Sequence, residues 1–345
     1  MGWSVRTQAR GGGTISILDR LQDRRFSFFL NRPCTASGSI TADVGAAGDV
    51  GLRPGIDEAL VLYDGVPQET VFACTSVSAQ ASGDEVRIGV EWEGIMTYLS
   101  DALVLGKATA YSSTTLPWTW INTFQTRTGA SVYGITQGTQ TGSPPTRSRL
   151  VEQDATLLDE IIGLSETSSG FDFNIGPDRA YNEWHTQRGS SNGLRLEYGI
   201  NVVSYSYTES AAPGEIVSDV YVNGPPGSGF ATATSSTAQT AYGRREASLP
   251  YLTELENATV TSSQLQNYAD AAITQRSSPL IIPNVVLRKQ HDSVAWGNYW
   301  LGDTIRFVAG VGRFTTIDAN YRIVAVHVEV DENDNETVSL DLNKV

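Results

Sequence analysis

The dominant spacing of apolar positions along the chain is two. Across 85–92, Val86, Ile88, Val90 and Trp92 alternate with Arg87, Gly89 and Glu91, which puts four apolar side chains on one face of a strand and leaves the other face wet. The same alternation returns near the end, where Val324, Val326, Val328 and Val330 oppose Ala325, His327 and Glu329. After the acidic stretch 331–336, Val338, Leu340 and Leu342 alternate with Thr337, Ser339 and Asp341, which predicts a hairpin with a polar loop. Upstream, Leu60-Val61-Leu62-Tyr63 runs into Asp64-Gly65 and then 70–78, and the Asp-Gly pair suits a turn that needs positive φ. Further strands are predicted at 14–18, 25–30, 171–175, 181–185, 194–207, 216–222, 284–288 and 303–308.

Helical spacing is scarcer, and each instance has a start signal. Leu157, Leu158, Ile161, Ile162 and Leu164 share one face behind Thr156 and Asp159, an acidic variant of the capping box, which predicts a helix over about 156–167 ended by Ser168-Ser169-Gly170. A second helix is predicted from Ser262 to about Gln275, with Thr261 and Gln264 as its capping box, Leu265, Tyr268, Ala269, Ala272 and Ile273 buried, and Pro279 as its stop. A third runs over 117–126, with proline in the first turn and Trp120, Ile121 and Phe124 inward. The stretches 136–145 and 224–241 read as linkers outside any core. The pattern therefore predicts a mainly β chain with α+β insertions: strands to about 95, a mixed block to about 195, then strands again with one inserted helix. No internal repeat is visible.

Composition narrows the function classes. The chain has 345 residues, enough for two or three domains, and 38 acidic against 24 basic side chains give a formal charge of −14. Such an excess of acid repels phosphate backbones, so nucleic acid held by Lys and Arg is excluded unless basic residues cluster, and pairs such as Arg24-Arg25 and Arg244-Arg245 are isolated. No run approaches a membrane span and 1–30 lacks the layout of a signal peptide, so a soluble protein made in a cytoplasm is expected. Cys34 and Cys74 are read as reduced and structural. Only Lys107, Lys289 and Lys344 are lysines, a bias that fits a GC-rich genome and not a chemistry.

The motifs that carry chemistry elsewhere fail on context. Gly189-Ser190-Ser191-Asn192-Gly193 matches the nucleophile-elbow pattern, with His291 or His327 as candidate bases, but it lies between strands and reads as a hairpin turn. The 331–336 stretch places oxygens at positions 1, 3 and 5 of a calcium loop, yet Glu336 and Leu342 stand where glycine and glutamate are needed, so it reads as a solvated hairpin tip. His185, His291 and His327 have no ligand spacing, and His327 is placed on the exposed face of the last strands. Gly11-Gly12-Gly13 and Gly227-Ser228-Gly229 lack the lysine and helix of a phosphate cradle. Pairs such as Asp159-Glu160 or Glu254 and Glu256 are read as surface carboxylates. No catalytic, cofactor or metal residue is assigned. The one aromatic cluster near a loop, Trp296, Tyr299 and Trp300, is the place where a carbohydrate-active or receptor-binding alternative would show, and packing is the expected role.

Several segments taken in order resemble the tail-hub proteins of long-tailed phages, also called baseplate hub, tail-tip or minor tail proteins. They are the hairpin Leu62-Tyr63-Asp64-Gly65 with Val71-Phe72-Ala73-Cys74, then Val86-Arg87-Ile88-Gly89-Val90-Glu91 and Ile95-Met96-Thr97-Tyr98-Leu99. The helix around Leu157-Leu158-Asp159-Glu160-Ile161-Ile162 follows, leading to Gly170-Phe171-Asp172-Phe173, then Val220-Tyr221-Val222-Asn223-Gly224 and Tyr242-Gly243-Arg244-Arg245-Glu246, and finally Leu301-Gly302-Asp303-Thr304-Ile305-Arg306 with the closing hairpin. The resemblance implies two β-barrel-like hub domains, 1–100 and 196–345, the second with an inserted helix at about 262–276, around a mixed α/β domain at 101–195. It implies a structural virion protein of the tail tip with no enzymatic activity and no cofactor. Its partners would be two further copies in a homotrimer, the distal tail protein or hexameric tail tube, the tape measure protein, and other tip proteins or fibres, with no membrane span and no sequence-specific nucleic-acid binding. The chain ends just after the closing hairpin, so no lysin or fibre is expected within it.

Overall fold

The computed structural model describes residues 2–10, 13–18, 21–43, 52–82, 85–104, 110–127, 133–144, 147–150, 155–166, 170–185, 187–210, 216–224, 229–250, 261–277, 280–311 and 315–344. Strands β1 (Trp3–Ala9), β2 (Thr14–Ile17), β3 (Gln22–Phe29), β4 (Thr35–Asp43), β5 (Asp57–Tyr63), β6 (Val66–Ser82) and β7 (Glu85–Gly94) come first. They form one antiparallel path in the order β3-β4-β7-β6-β5-β1-β2. The predicted Asp64-Gly65 turn joins β5 to β6, and both residues have positive φ, at 49° and 81°, as a tight hairpin demands. Strands β13 (Ser191–Glu197), β14 (Val202–Ser210), β18 (Leu280–Leu287), β19 (Thr304–Val311), β20 (Thr315–Val330) and β21 (Glu336–Lys344) form the other half. There the pairing runs β13-β19-β20-β21-β18-β14. A turn at 198–201, with an isolated bridge between Tyr198 and Val202, leads from β13 into β14 at the other end of this path.

The two halves are one sheet. β20 is sixteen residues long and pairs with β19 at its start, with β21 along most of its length and with β3 over Ala325 to Val330. A single hydrophobic core accordingly mixes Trp3, Phe26, Phe28, Phe72 and Trp92 from the first half with Leu196, Phe307, Tyr321, Val328 and Leu340 from the second.

The middle block explains the runs that break the alternation. Ala59, Val61, Phe72 and Cys74 face that common core, whereas Leu60, Leu62, Val71 and Ala73, one residue out of phase, face a second one. β5 and residues 70–74 of β6 are therefore buried on both faces, so 59–62 and 71–74 are continuous apolar runs. The second core is completed by a 3₁₀ turn at Ile95–Leu99, by α1 (Leu116–Arg127) and α2 (Leu157–Ser165), and by β11 (Phe171–Ile175) and β12 (Ala180–His185). β9 (Thr136–Thr141) adds to β12 in parallel, while β8 (Ala110–Ser113) and β10 (Arg147–Leu150) form a separate ribbon. Thr156 caps α2 as expected, its hydroxyl accepting from the Asp159 backbone N–H at 3.1 Å. Glu160, read from sequence as a surface carboxylate, is buried.

A third, smaller core lies between β14 and β18. The stretch read as a linker holds β16 (Phe230–Thr234) and α3 (Ser236–Tyr242), and with β15 (Asp219–Asn223) and β17 (Glu246–Pro250) it makes a three-stranded sheet. Its small side chains, Ala231 and Ala233, let α4 (Ser262–Arg276) lie close on one face, with Leu265, Ala269, Ala272 and Ile273 buried beneath it. The inserted helix thus comes with its own sheet. Pro279, expected to end it, lies outside the described residues, as do Glu254, Glu256 and parts of both glycine-rich stretches.

Two further expectations change in detail. The strand predicted over 194–207 breaks into β13 and β14 because Gly199, with φ of 86°, turns the chain. Val324 does not join Val326, Val328 and Val330 on the buried face. The register of β20 on β21 slips between Ile323 and Ala325, so Val324 is the extra residue of a bulge, and the inward series before it is Tyr321 and Ile323.

Candidate functional site

The densest polar chemistry among the described residues lies where the two halves meet the middle block. The β5–β6 ladder slips by two residues between Leu60 and Leu62, and within the irregular stretch of β6 opposite them Glu69 takes a positive φ of 37°. The bulge turns a carboxylate into the interior, where it is 7% exposed. Both Glu69 oxygens accept from the forked guanidinium of Arg188, with Nη2 to Oε2 at 2.9 Å. Oε1 also accepts from Asn174 Nδ2 at 2.9 Å, and Oε2 from Trp300 Nε1 at 2.7 Å. The Arg188 guanidinium lies 4.8 Å from the Trp184 ring centre, adding a cation–π contact.

Asp172 is the second anchor, 4% exposed on β11. Its Oδ2 accepts from the Arg188 backbone N–H and from Arg322 Nη2, and its Oδ1 from Asn31 Nδ2 at 3.1 Å. Arg322 then donates to the carbonyls of Arg188 at 3.1 Å and Gly302 at 3.2 Å. Glu58 is the third, fully buried on β5. It accepts from Arg179, from Tyr98 Oη at 3.1 Å and from Gln8 Nε2 at 3.5 Å. Burial, with the Glu58 charge beside it, pushes the Tyr98 phenol up to about 12.

Each of these carboxylates is taken up by fixed donors from segments far apart in sequence. That arrangement holds pieces together; a general acid or base needs instead a carboxyl facing a space where a substrate can sit.

No family model matches the sequence, and a search of curated proteins finds no match. Solved structures do match. A tail protein from Neisseria meningitidis is similar at a TM-score of 0.69 and 12% identity, over 100% of this chain and 97% of that one. The 43 kDa tail protein of prophage MuSo2 from Shewanella oneidensis is similar at 0.70 and 11%, over 99% and 98%. The prophage tail protein gp18 from Listeria monocytogenes is similar at 0.64 and 14%, over 99% and 95%. The chain has the fold of phage tail proteins.

Within this tail-protein fold the chemically suggestive motifs take structural places. Gly189 does not open a nucleophile elbow: a Cβ there would lie 2.4 Å from the Gly302 carbonyl carbon, so two glycine turns pass in contact, and Ser191 begins a strand. His291 caps a 3₁₀ turn, its Nδ1 2.9 Å from Ser293 Oγ. His327 is not on a bare face but half-buried, with Nδ1 2.9 Å from Ser27 Oγ and Nε2 3.1 Å from Asp341 Oδ2. Its bond and the Asn284 amide hold the Asp341 carboxyl below the usual carboxylate range. His185 is buried, 3.2 Å from Glu183. In the 331–336 tip, Asp331 turns both oxygens onto its own loop, accepting the backbone N–H groups of Asn333 and Asn335 at 2.8 Å and the Asn335 amide at 2.8 Å. Trp296 and Trp300 pack on Trp3, Phe28 and Tyr63, and Tyr299 on Trp296, with centroid distances of 4.6–6.5 Å, a core arrangement and not a groove lining. Cys34 and Cys74 are free and buried.

The joint residues themselves escaped the sequence reading. Glu69 follows Pro67-Gln68 and looks like a turn residue, and Asp172 between Phe171 and Phe173 looks like the wet face of a strand. The one available signal was charge inside apolar runs, at Glu58 before Leu60 and at Asp172.

Proposed function

We propose that the chain is a structural hub of a phage tail, with no chemistry of its own, assembled as a homotrimer at the tail tip. Three copies of a chain with two barrel-like halves present six such units around an axis, a pseudo-sixfold ring suited to a hexameric tail tube or distal tail protein. The observation that carries this reading is the fusion of both halves through β20 into one sheet over one core, which fixes their mutual orientation as a ring element requires. Likeness over the whole length to tail proteins of three bacteria supports the same reading. The domains we assign are 1–100 and 196–345 for the hub units and 101–195 for the insertion, with the tape measure protein and tip proteins or fibres as further partners.

Charge fits the role. Three copies bring 3 × −14 = −42 formal charges. An acidic wall repels DNA passing within a Debye length, roughly 8–10 Å at physiological salt, so the path stays open. We assign an excess of acidic over basic residues to the inner wall. Light scattering on the purified chain tests the assembly: a mass three times the 37.2 kDa of one chain is expected, and a monomer at tens of micromolar would contradict it.

A further inference from the structure

Where β13 turns into β14 the chain presents large apolar side chains to solvent. Tyr198, Ile200 and Val203 are each about half exposed, at 50%, 49% and 51%. Two backbone devices put them there. Gly199, with φ of 86°, turns the chain between Tyr198 and Ile200. The register of β14 on β18 then slips between Val202 and Ser204, so Val203 is the extra residue of a bulge, turned outward while Val202 is buried opposite Leu287. The charges on the adjoining strands are paired among themselves, Arg195 with Glu197 at 3.0 Å and Arg306 with Asp318 at 2.7 Å. An exposed apolar patch with a polar rim marks a contact surface.

Charge and symmetry narrow the partner. No charged residue stands between Glu197 and Glu209, so two acidic chains can approach here without repulsion. Beside the tip lies Arg288, whose backbone N–H donates to the Asn201 carbonyl at 2.9 Å; its side chain is exposed and forms no ion pair among the described residues. An apolar tip with a free cation suits an acidic protein surface, and residues 1–100 supply one, with 8 basic against 12 acidic side chains, 8 − 12 = −4. The tip belongs to the other half, and the sheet path runs from β14 at one end to β2 at the opposite end. A tip that met its own counterpart would pair chains about a twofold axis, whereas a closed ring of three needs two different surfaces in contact.

We propose, resting on the trimer reading above, that the 198–203 tip with Arg288 is one side of the contact between copies, seated on the first half of the next chain around the ring. Tyr198, Ile200 and Val203 form the buried centre of that contact, and the paired charges form its rim. Arg288 faces the acidic surface of the neighbouring copy and sets the register of the contact.

Light scattering and photo-crosslinking of the full chain test it. Ile200→Asp is expected to give a monomer with the melting temperature of the parent, at a concentration where the parent is a trimer. Phe230→Asp, at an apolar side chain 70% exposed on another element, is expected to remain trimeric. Arg288→Glu is expected to raise the concentration at which the trimer dissociates about tenfold. Tyr198→p-benzoylphenylalanine is expected, on irradiation, to join copies through a residue within 1–100 of the neighbour. A trimer unaffected by Ile200→Asp, equal dissociation by Phe230→Asp, or links from position 198 to 196–345 of another copy would overturn the contact and leave the hub reading standing. A parent chain that is itself monomeric would overturn both.

Discussion

Glu69 shows how one side chain can join three parts of a chain. Arg188 comes from the turn after β12, Asn174 from β11 and Trp300 from the turn before β19, and all three donate to its two oxygens. Removing one member strands the other inside, so Glu69→Gln is expected to cost about 3–5 kcal/mol in urea unfolding, whereas Glu69→Met combined with Arg188→Met is expected to recover most of that loss. A double variant as unstable as the single one would show that the charges, and not their pairing, hold the joint. The thiols make a second residue-scale case. Burial raises both, Cys74 to about 11, so the reactive thiolate is scarce at pH 8. Native protein is expected to leave both thiols unmodified by Ellman's reagent at that pH, and unfolded protein to release two equivalents. Rapid native modification would place a cysteine at the surface. Their burial was legible in apolar surroundings such as Val71-Phe72-Ala73-Cys74, but the joint was not, because sequence spacing carries no record of a bulge that turns Glu69 inward.

At the scale of elements, legibility followed exposure. Where a strand has one wet face, as β7 does, its period of two is plain and the prediction matches the structure. β5 and residues 71–74 of β6 separate two cores, so both phases are apolar and the pattern says strand without saying which side faces what. β16 and α3 hid in a run of serine, threonine and alanine, because a helix packed tightly on a small sheet needs small side chains that look like linker composition. The contact of Gly189 with Gly302 hid inside a catalytic pattern. Gly302 has φ of 89°, and a Cβ on it would meet the Arg188 carbonyl oxygen at 2.4 Å. Gly302→Ala is therefore expected to lower the melting temperature by several degrees and to loosen the neighbouring Asp172–Arg322 pair. Gly55→Ala, at positive φ with open space around it, is expected to do less, and equal effects would contradict the close approach.

For the whole molecule, the order of strands, block and strands was visible in the hydrophobic pattern, while the union of the two outer parts was not. It depends on β20 pairing with β3 across some 300 residues, and no local signal encodes that distance. The acidity has a place only at this scale. No helix among the described residues is long and apolar enough to cross a membrane. Cryo-electron microscopy of the tail tip of particles that encode this chain tests the central claim most directly. The account predicts threefold density at the tail axis that takes three copies, their six barrel-like halves in one ring against the tube, and more acidic than basic residues on the inner wall. Intact tails whose tip holds no copy of the chain would contradict it.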